Sequence, residues 1–201
     1  MANNCSNTIN ISGLTKENKE KIVQWLKTYD KFRYLNDWVN SIISEENQLT
    51  PNFDKGGDPY QYGGRWFDFD PDEAENNGDD ENICIYGDSA WSPMEGMCEA
   101  LSKEFQCEIN IEFEEGGCDF GGETNYVNGD KEEIFNGTYR EYQYYCSGLE
   151  YMESDSECVD DLETLKEIEK DWLTICDLKE QDEVKAHFKK LIDKLSQEEE
   201  A

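Results

Sequence analysis

Glu108-Ile109-Asn110-Ile111-Glu112-Phe113-Glu114 alternates a polar residue with a large apolar one at every position. Side chains swing between two faces with this period only along a β-strand. The run therefore predicts a strand with Ile109, Ile111 and Phe113 on a core and Glu108, Glu112 and Glu114 toward water. Just upstream, Met94, Met97, Cys98, Leu101 and Phe105 recur at helical spacing. They follow Ser92-Pro93-Met94-Glu95, with Ser92 as N-cap, Pro93 at the first helical position and Glu95 closing a capping box. A helix packed on a sheet is the expected unit.

Further out, Thr8–Ser12, Arg65–Asp70 and Ile83–Tyr86 read as strands of the same sheet. Thr15 caps a helix whose apolar stripe is Ile22, Val23, Trp25, Leu26 and Tyr29, and Tyr34–Ile43 repeats that pattern as a second short helix. Gln48–Gly64 and Asp72–Glu81 read as loops, and Gly116-Gly117 with Gly121-Gly122 as a tight hairpin. Tyr139–Cys146 looks like a long aromatic strand after an Asn136-Gly137 turn. Ser154–Glu157 reads as a capping box opening a helix that buries Val159, Leu162, Leu165, Ile168 and Trp172. A last helix places Val184, His187, Phe188, Leu191, Ile192 and Leu195 on one stripe. The expected fold class is α+β: a mixed or antiparallel sheet with packed helices, plus a C-terminal helical pair. The expected division is an α+β domain over residues 1–150 and a helical extension over 151–201 packed on it.

The chain has 201 residues and a formal net charge of −30, and the excess is concentrated. Tyr34 to Leu165 carries 5 Lys and Arg against 34 Asp and Glu. Self-repulsion of this size opposes compaction, so something other than stability favours it. A surface built for solubility would mix both signs. No basic stripe is present to displace counterions, so direct binding to DNA or RNA is not expected. A partner that is itself basic is expected.

Eight cysteines are present but no Cys-x-x-Cys pair, and His187 is the sole histidine. Reduced, mostly buried thiols are expected, with no zinc, no other metal or cofactor and no catalytic triad. No apolar run is long enough to span a membrane, and the start of the chain has no signal-peptide pattern. The expected location is the cytoplasm.

Four stretches carry a resemblance. They are Met1 to Thr8 followed by a strand ending in Ser12-Gly13; Tyr62-Gly63-Gly64-Arg65-Trp66; Ser89-Ala90-Trp91-Ser92-Pro93 opening a helix; and the Gly-rich Phe113 to Gly122. In order and context they resemble the Api92-like family of phage- and plasmid-encoded proteins with a ferredoxin-like domain, over Met1 to about Ser147. The resemblance implies a ferredoxin-like fold and a mobile-element origin, and with that origin the cytoplasm expected is that of a bacterial host. It carries over no catalytic residue.

Together these readings predict an acidic binding protein rather than an enzyme. Asp68, Asp70 and Asp72, with Glu108, Glu112, Glu114, Glu115 and Asp119, are the expected partner-binding residues. Strand spacing would set acids at ~6.6–7 Å intervals, imitating a nucleic-acid backbone. The expected function is mimicry that inhibits a basic DNA- or RNA-handling host protein, of anti-CRISPR or anti-restriction type. The alternative is a calcium- or small-ligand-binding module using the Asp68–Glu81 loop, and a third reading is a hydrolase.

Overall fold

The computed structural model describes residues 4–49, 61–76, 82–157 and 159–199. The chain divides into two compact units, Met1–Tyr139 and Arg140–Ala201.

In the first unit, β1 (Asn4–Ser12) leads through α1 (Lys16–Leu26) and α2 (Leu35–Asn40) to β2 (Phe67–Phe69), α3 (Pro71–Asn76) and β3 (Ile83–Ala90). Then come α4 (Glu95–Phe105), β4 (Glu108–Glu115), β5 (Phe120–Val127) and β6 (Asp130–Gly137). The sheet order is β2-β3-β1-β4-β5-β6, with every neighbouring pair antiparallel. The connections β1-α1-β2 and β3-α4-β4 each skip one strand, and the skipped places hold β3 and β1. That split βαβ arrangement is the ferredoxin-like fold, here extended at one edge by β5 and β6.

Alternation along the strands sends Ile9, Ile11, Ile83, Ile85, Ile109, Ile111 and Phe113 to one face. There they join Ile22, Trp25, Leu26, Trp38, Met97, Cys98 and Leu101 of α1, α2 and α4 in a single core. The Trp25 and Trp38 rings stack at 3.9 Å, and each indole N–H donates to the other residue's carbonyl. Both buried indole donors are thereby satisfied.

A buried amide ties sheet to helix. Asn7 is 3% exposed. Its Nδ2 donates to the Cys5 carbonyl at 2.7 Å and to Ser89 Oγ at 2.9 Å, while its Oδ1 accepts from Met94 N at 2.9 Å. This corrects the expected Ser92 capping box. The helix starts at Glu95 with Met94 as N-cap and no local side-chain cap, because an amide from β1 takes the orphan N–H instead. Ser92 contributes its carbonyl, which accepts from Ser89 Oγ at 2.7 Å.

The Tyr62-Gly63-Gly64 stretch is structural. Tyr62 is fully buried and its carbonyl accepts from Met97 N at 2.9 Å. Gly63 sits at φ +133°, where a Cβ would stand 2.7 Å from the Pro93 carbonyl oxygen, so only glycine fits.

The second unit holds α5 (Tyr139–Ser147), α6 (Glu150–Glu157), α7 (Leu162–Ile175) and α8 (Gln181–Glu199). Met152, Leu165, Ile168, Trp172, Cys176, Val184 and Phe188 form its own core. Here α7 and α8 are the expected C-terminal helical pair. Arg140 bridges Asp155 at 2.8 Å and Asp171 at 2.7 Å, and Asp155 also accepts from the Trp172 indole at 2.9 Å.

Several local expectations are overturned. Tyr139–Ser147 is a helix, not a strand: Tyr142 is buried, its aromatic neighbours Tyr139 and Tyr145 stand three residues away on either side, and Gly148 (φ 59°) closes the C-terminus by donating to the Tyr144 carbonyl. Asn136-Gly137 lies within β6. The true turn is Asn128-Gly129, both at positive φ, the geometry a two-residue hairpin requires. Ser154 caps nothing, since it falls inside α6. The cap of α7 is Asp161, whose carboxylate accepts from Glu163 N and Thr164 N. The Asp72–Glu81 loop is a helix as far as Asn76, and its remaining residues 77–81 lie outside the described ones, as do residues 50–60 of the Gln48–Gly64 loop.

Candidate partner-binding face

While one face of the sheet is buried, the other is polar, and strand register sets its residues in rows. The first row runs Asp68, Asp88, Ser6, Glu114, Gly121 across β2, β3, β1, β4 and β5. The second is Tyr86, Thr8, Glu112, Glu123, Phe135, and the third Cys84, Asn10, Asn110, Asn125, Glu132. Ser12, Glu108, Val127 and Asp130 form the fourth. Eight of these positions are Asp or Glu, and none is Lys or Arg. On β6, Lys131 falls on the opposite face and pairs with Glu95 of α4 at 2.8 Å.

Two acid pairs stand directly opposite across strands, Asp68 with Asp88 and Glu112 with Glu123. Like charges so placed oppose sheet formation. Neutral donors hold the carboxylates in position: Ser6 Oγ donates to Asp88 Oδ1 at 2.9 Å, and Asn110 Nδ2 to Glu123 Oε1 at 2.9 Å. Tyr86 sits beside them, 53% exposed. A hydrogen bond with Cys84, and then the charges of Cys84 and Glu112, push its phenol above the usual value.

The sequence-derived acids separate into three groups. Asp68, Glu108, Glu112 and Glu114 share this face. Glu115 points the other way, buried at 4% exposure, where it accepts from Gly117 N at 2.8 Å. Asp70, Asp72 and Asp119 lie off the rows. Asp70 caps α3, accepting from Asp72 N at 2.9 Å and Glu73 N at 3.3 Å. Asp72 pairs with Lys27 at 3.5 Å. Asp119, in the β4–β5 turn, accepts from Tyr139 N at 3.1 Å.

Four acids of the face were missed: Asp88, Glu123, Asp130 and Glu132. The first was lost by ending β3 at Tyr86 rather than Ala90. The others escape because the Gly-rich hairpin is not followed along β5 beyond Gly122 and β6 is not read as a strand, although Asn128-Gly129 is the strongest short-range hairpin signal.

Asp70's capping role also bears on the calcium alternative. Asp72 and Glu73 stand in the first turn of the helix it starts, residues 77–81 of the Asp68–Glu81 loop lie outside the described ones, and no His, Cys, Asp and Glu cluster suited to a metal occurs among the described residues. His187 Nε2 meets Ser156 Oγ at 2.7 Å, and that hydroxyl donates to the Met152 carbonyl at 2.7 Å. The pair joins α6 to α8, and the same hydroxyl also lies 3.3 Å from the Glu153 carbonyl. Of the seven described cysteines, none is in a disulfide; four are buried and Cys118 and Cys146 are exposed. Burial pushes the Cys5 thiol up to about 12 and Cys107 to about 11, which keeps both protonated and unreactive.

A family model described as the ferredoxin-like domain in Api92-like protein matches residues 67–169, from the first residue of β2 into α7. No curated protein and no solved structure matches. Among the described residues, no helix is long and apolar enough to cross a membrane.

Proposed function

The chain belongs to the Api92-like family through its ferredoxin-like domain, and we propose that it is an acidic binding protein that imitates nucleic acid toward a basic partner. One observation carries the reading: eight carboxylates in register on one sheet face, with no Lys or Arg at any row position. From Glu108 to Glu114 the face extends ~20 Å along the strands. Duplex DNA carries roughly 12 charges over that length. The two densities are of the same order, so a channel shaped for a phosphate backbone would find a comparable field here.

The target is a host protein that handles DNA or RNA, and occupying its channel would inhibit it, as an anti-CRISPR or anti-restriction protein does. Coulomb attraction speeds the encounter and is screened within ~8 Å at physiological salt. Competition tests the reading. Duplex DNA or RNA added to a complex of this chain with such a partner should release the chain, and raising salt should weaken the complex. A partner that holds this protein and its nucleic acid together, with affinity indifferent to salt, would defeat it.

A further inference from the structure

We infer that this face is built to take arginine in preference to lysine, with Tyr86 as the stacking platform and Asp88 and Asp68 as the carboxylates that receive the guanidinium. The inference rests on the proposed basic partner and specifies which side chain of that partner is recognised.

Tyr86 is a large aromatic residue left 53% exposed on a strand whose inward neighbours, Ile83 and Ile85, are fully or almost fully buried. Strand β2 pairs with β3 only over Gly87, Asp88 and Ser89, so it ends before reaching Tyr86. The ring therefore has a strand beside it, at Thr8, on one side only. Asp88 stands two residues along on the same face, ~7 Å away at strand spacing, and Asp68 lies directly across from it. Ser6 holds the Asp88 carboxylate through its Oδ1 at 2.9 Å. An aromatic ring and a positioned carboxylate at successive same-face positions of one strand suit a planar cation that can lie on the one while its fork reaches the other.

The two basic side chains differ on this point. Guanidinium is flat, weakly hydrated, stacks on aromatic rings and bonds a carboxylate through two parallel N–H groups. Ammonium is a compact, strongly hydrated point charge that gains from the field but little from ring or fork geometry. A purely electrostatic surface would not separate them. Partners that grip phosphates through arginine would be selected over equally basic lysine-rich ones.

The test uses two synthetic peptides of equal length and charge, one with arginine and one with lysine at every basic position. Binding to the full chain is followed by fluorescence anisotropy at physiological salt. The arginine peptide should bind about 3- to 10-fold more tightly, a margin of the size one aromatic–guanidinium contact supplies. Tyr86→Ala should erase most of that margin by weakening the arginine peptide alone, and Tyr86→Phe, which keeps the ring, should preserve it. Equal affinities for both peptides, unaffected by Tyr86→Ala, would overturn the arginine inference and leave the charge-based reading intact. Failure of both peptides to bind, with Asp68→Asn/Asp88→Asn indistinguishable from wild type, would overturn the two together.

Discussion

On β4, Ile109, Ile111 and Phe113 are buried beneath the helices, while Glu108, Glu112 and Glu114 alternate with them toward the other side. The two faces of this sheet obey different rules. The covered face serves folding: apolar side chains fill the core, and among the polar residues buried there Asn7 has each of its polar atoms hydrogen-bonded. The opposite face departs from what folding favours, since Asp68 faces Asp88 and Glu112 faces Glu123. A local rule broken twice on one face, with no gain to the fold, is the pattern expected where function sets the residues.

Mutations can break this comparison or sharpen it. The largest effect belongs to the covered face: Ile111→Ala should destabilise by about 3 kcal/mol through lost transfer energy and the cavity left behind. Its neighbour Glu112→Gln should leave the midpoint of urea unfolding unchanged or raised. Similar losses for the two would erase the distinction. Asn7→Ala comes next, at about 2 kcal/mol, because it strands buried donors and acceptors, including the Met94 N–H at the start of α4.

Glu104 provides a control, an acid outside the rows that does serve the fold. Burial acts to raise its pKa, but hydrogen bonds from Ser44 N at 2.9 Å, Ser44 Oγ at 2.7 Å and Asn47 Nδ2 at 2.9 Å outweigh it and hold the carboxyl below its usual value. A depressed folded-state pKa means stabilisation present above the unfolded pKa and lost as pH falls through the folded one. Glu104→Gln should therefore cost about 1 kcal/mol at neutral pH, and the difference from wild type should vanish in acid. A loss that persists at low pH would show that packing, not charge, is responsible. The smallest effect has the opposite sign: Asp68→Asn, which relieves one opposed pair, should stabilise by a few tenths of a kcal/mol.

How far the sequence could be read also divides along these lines. Period-2 alternation identified β4 and placed its acids and apolar residues on the correct faces, and helical stripes placed α1, α4, α7 and α8. The misread parts are those where a local signal had a distant competitor. Ser92 and Glu95 carry a capping-box pattern, but Asn7, far off in the chain, reaches the helix start first. Glu115 continues an acidic run, yet alternation turns it inward. Asn136-Gly137 and Asn128-Gly129 are the same dipeptide, and only pairing of β5 with β6 decides which one turns. The acids on β3, β5 and β6 became members of one face only once register aligned the strands, and register is a tertiary property.

The central claim is that the acidic rows exist for binding at some cost to folding. It is tested most directly by the variant carrying Asp68→Asn, Asp88→Asn, Glu112→Gln, Glu114→Gln and Glu123→Gln, measured for both unfolding midpoint and affinity for a nucleic-acid-handling partner. The substitutions keep shape and one acceptor oxygen at each position while removing five charges. The account predicts an unfolding midpoint equal to or above that of the wild type, together with loss of binding. A variant that binds as before, or that loses stability along with binding, would contradict it.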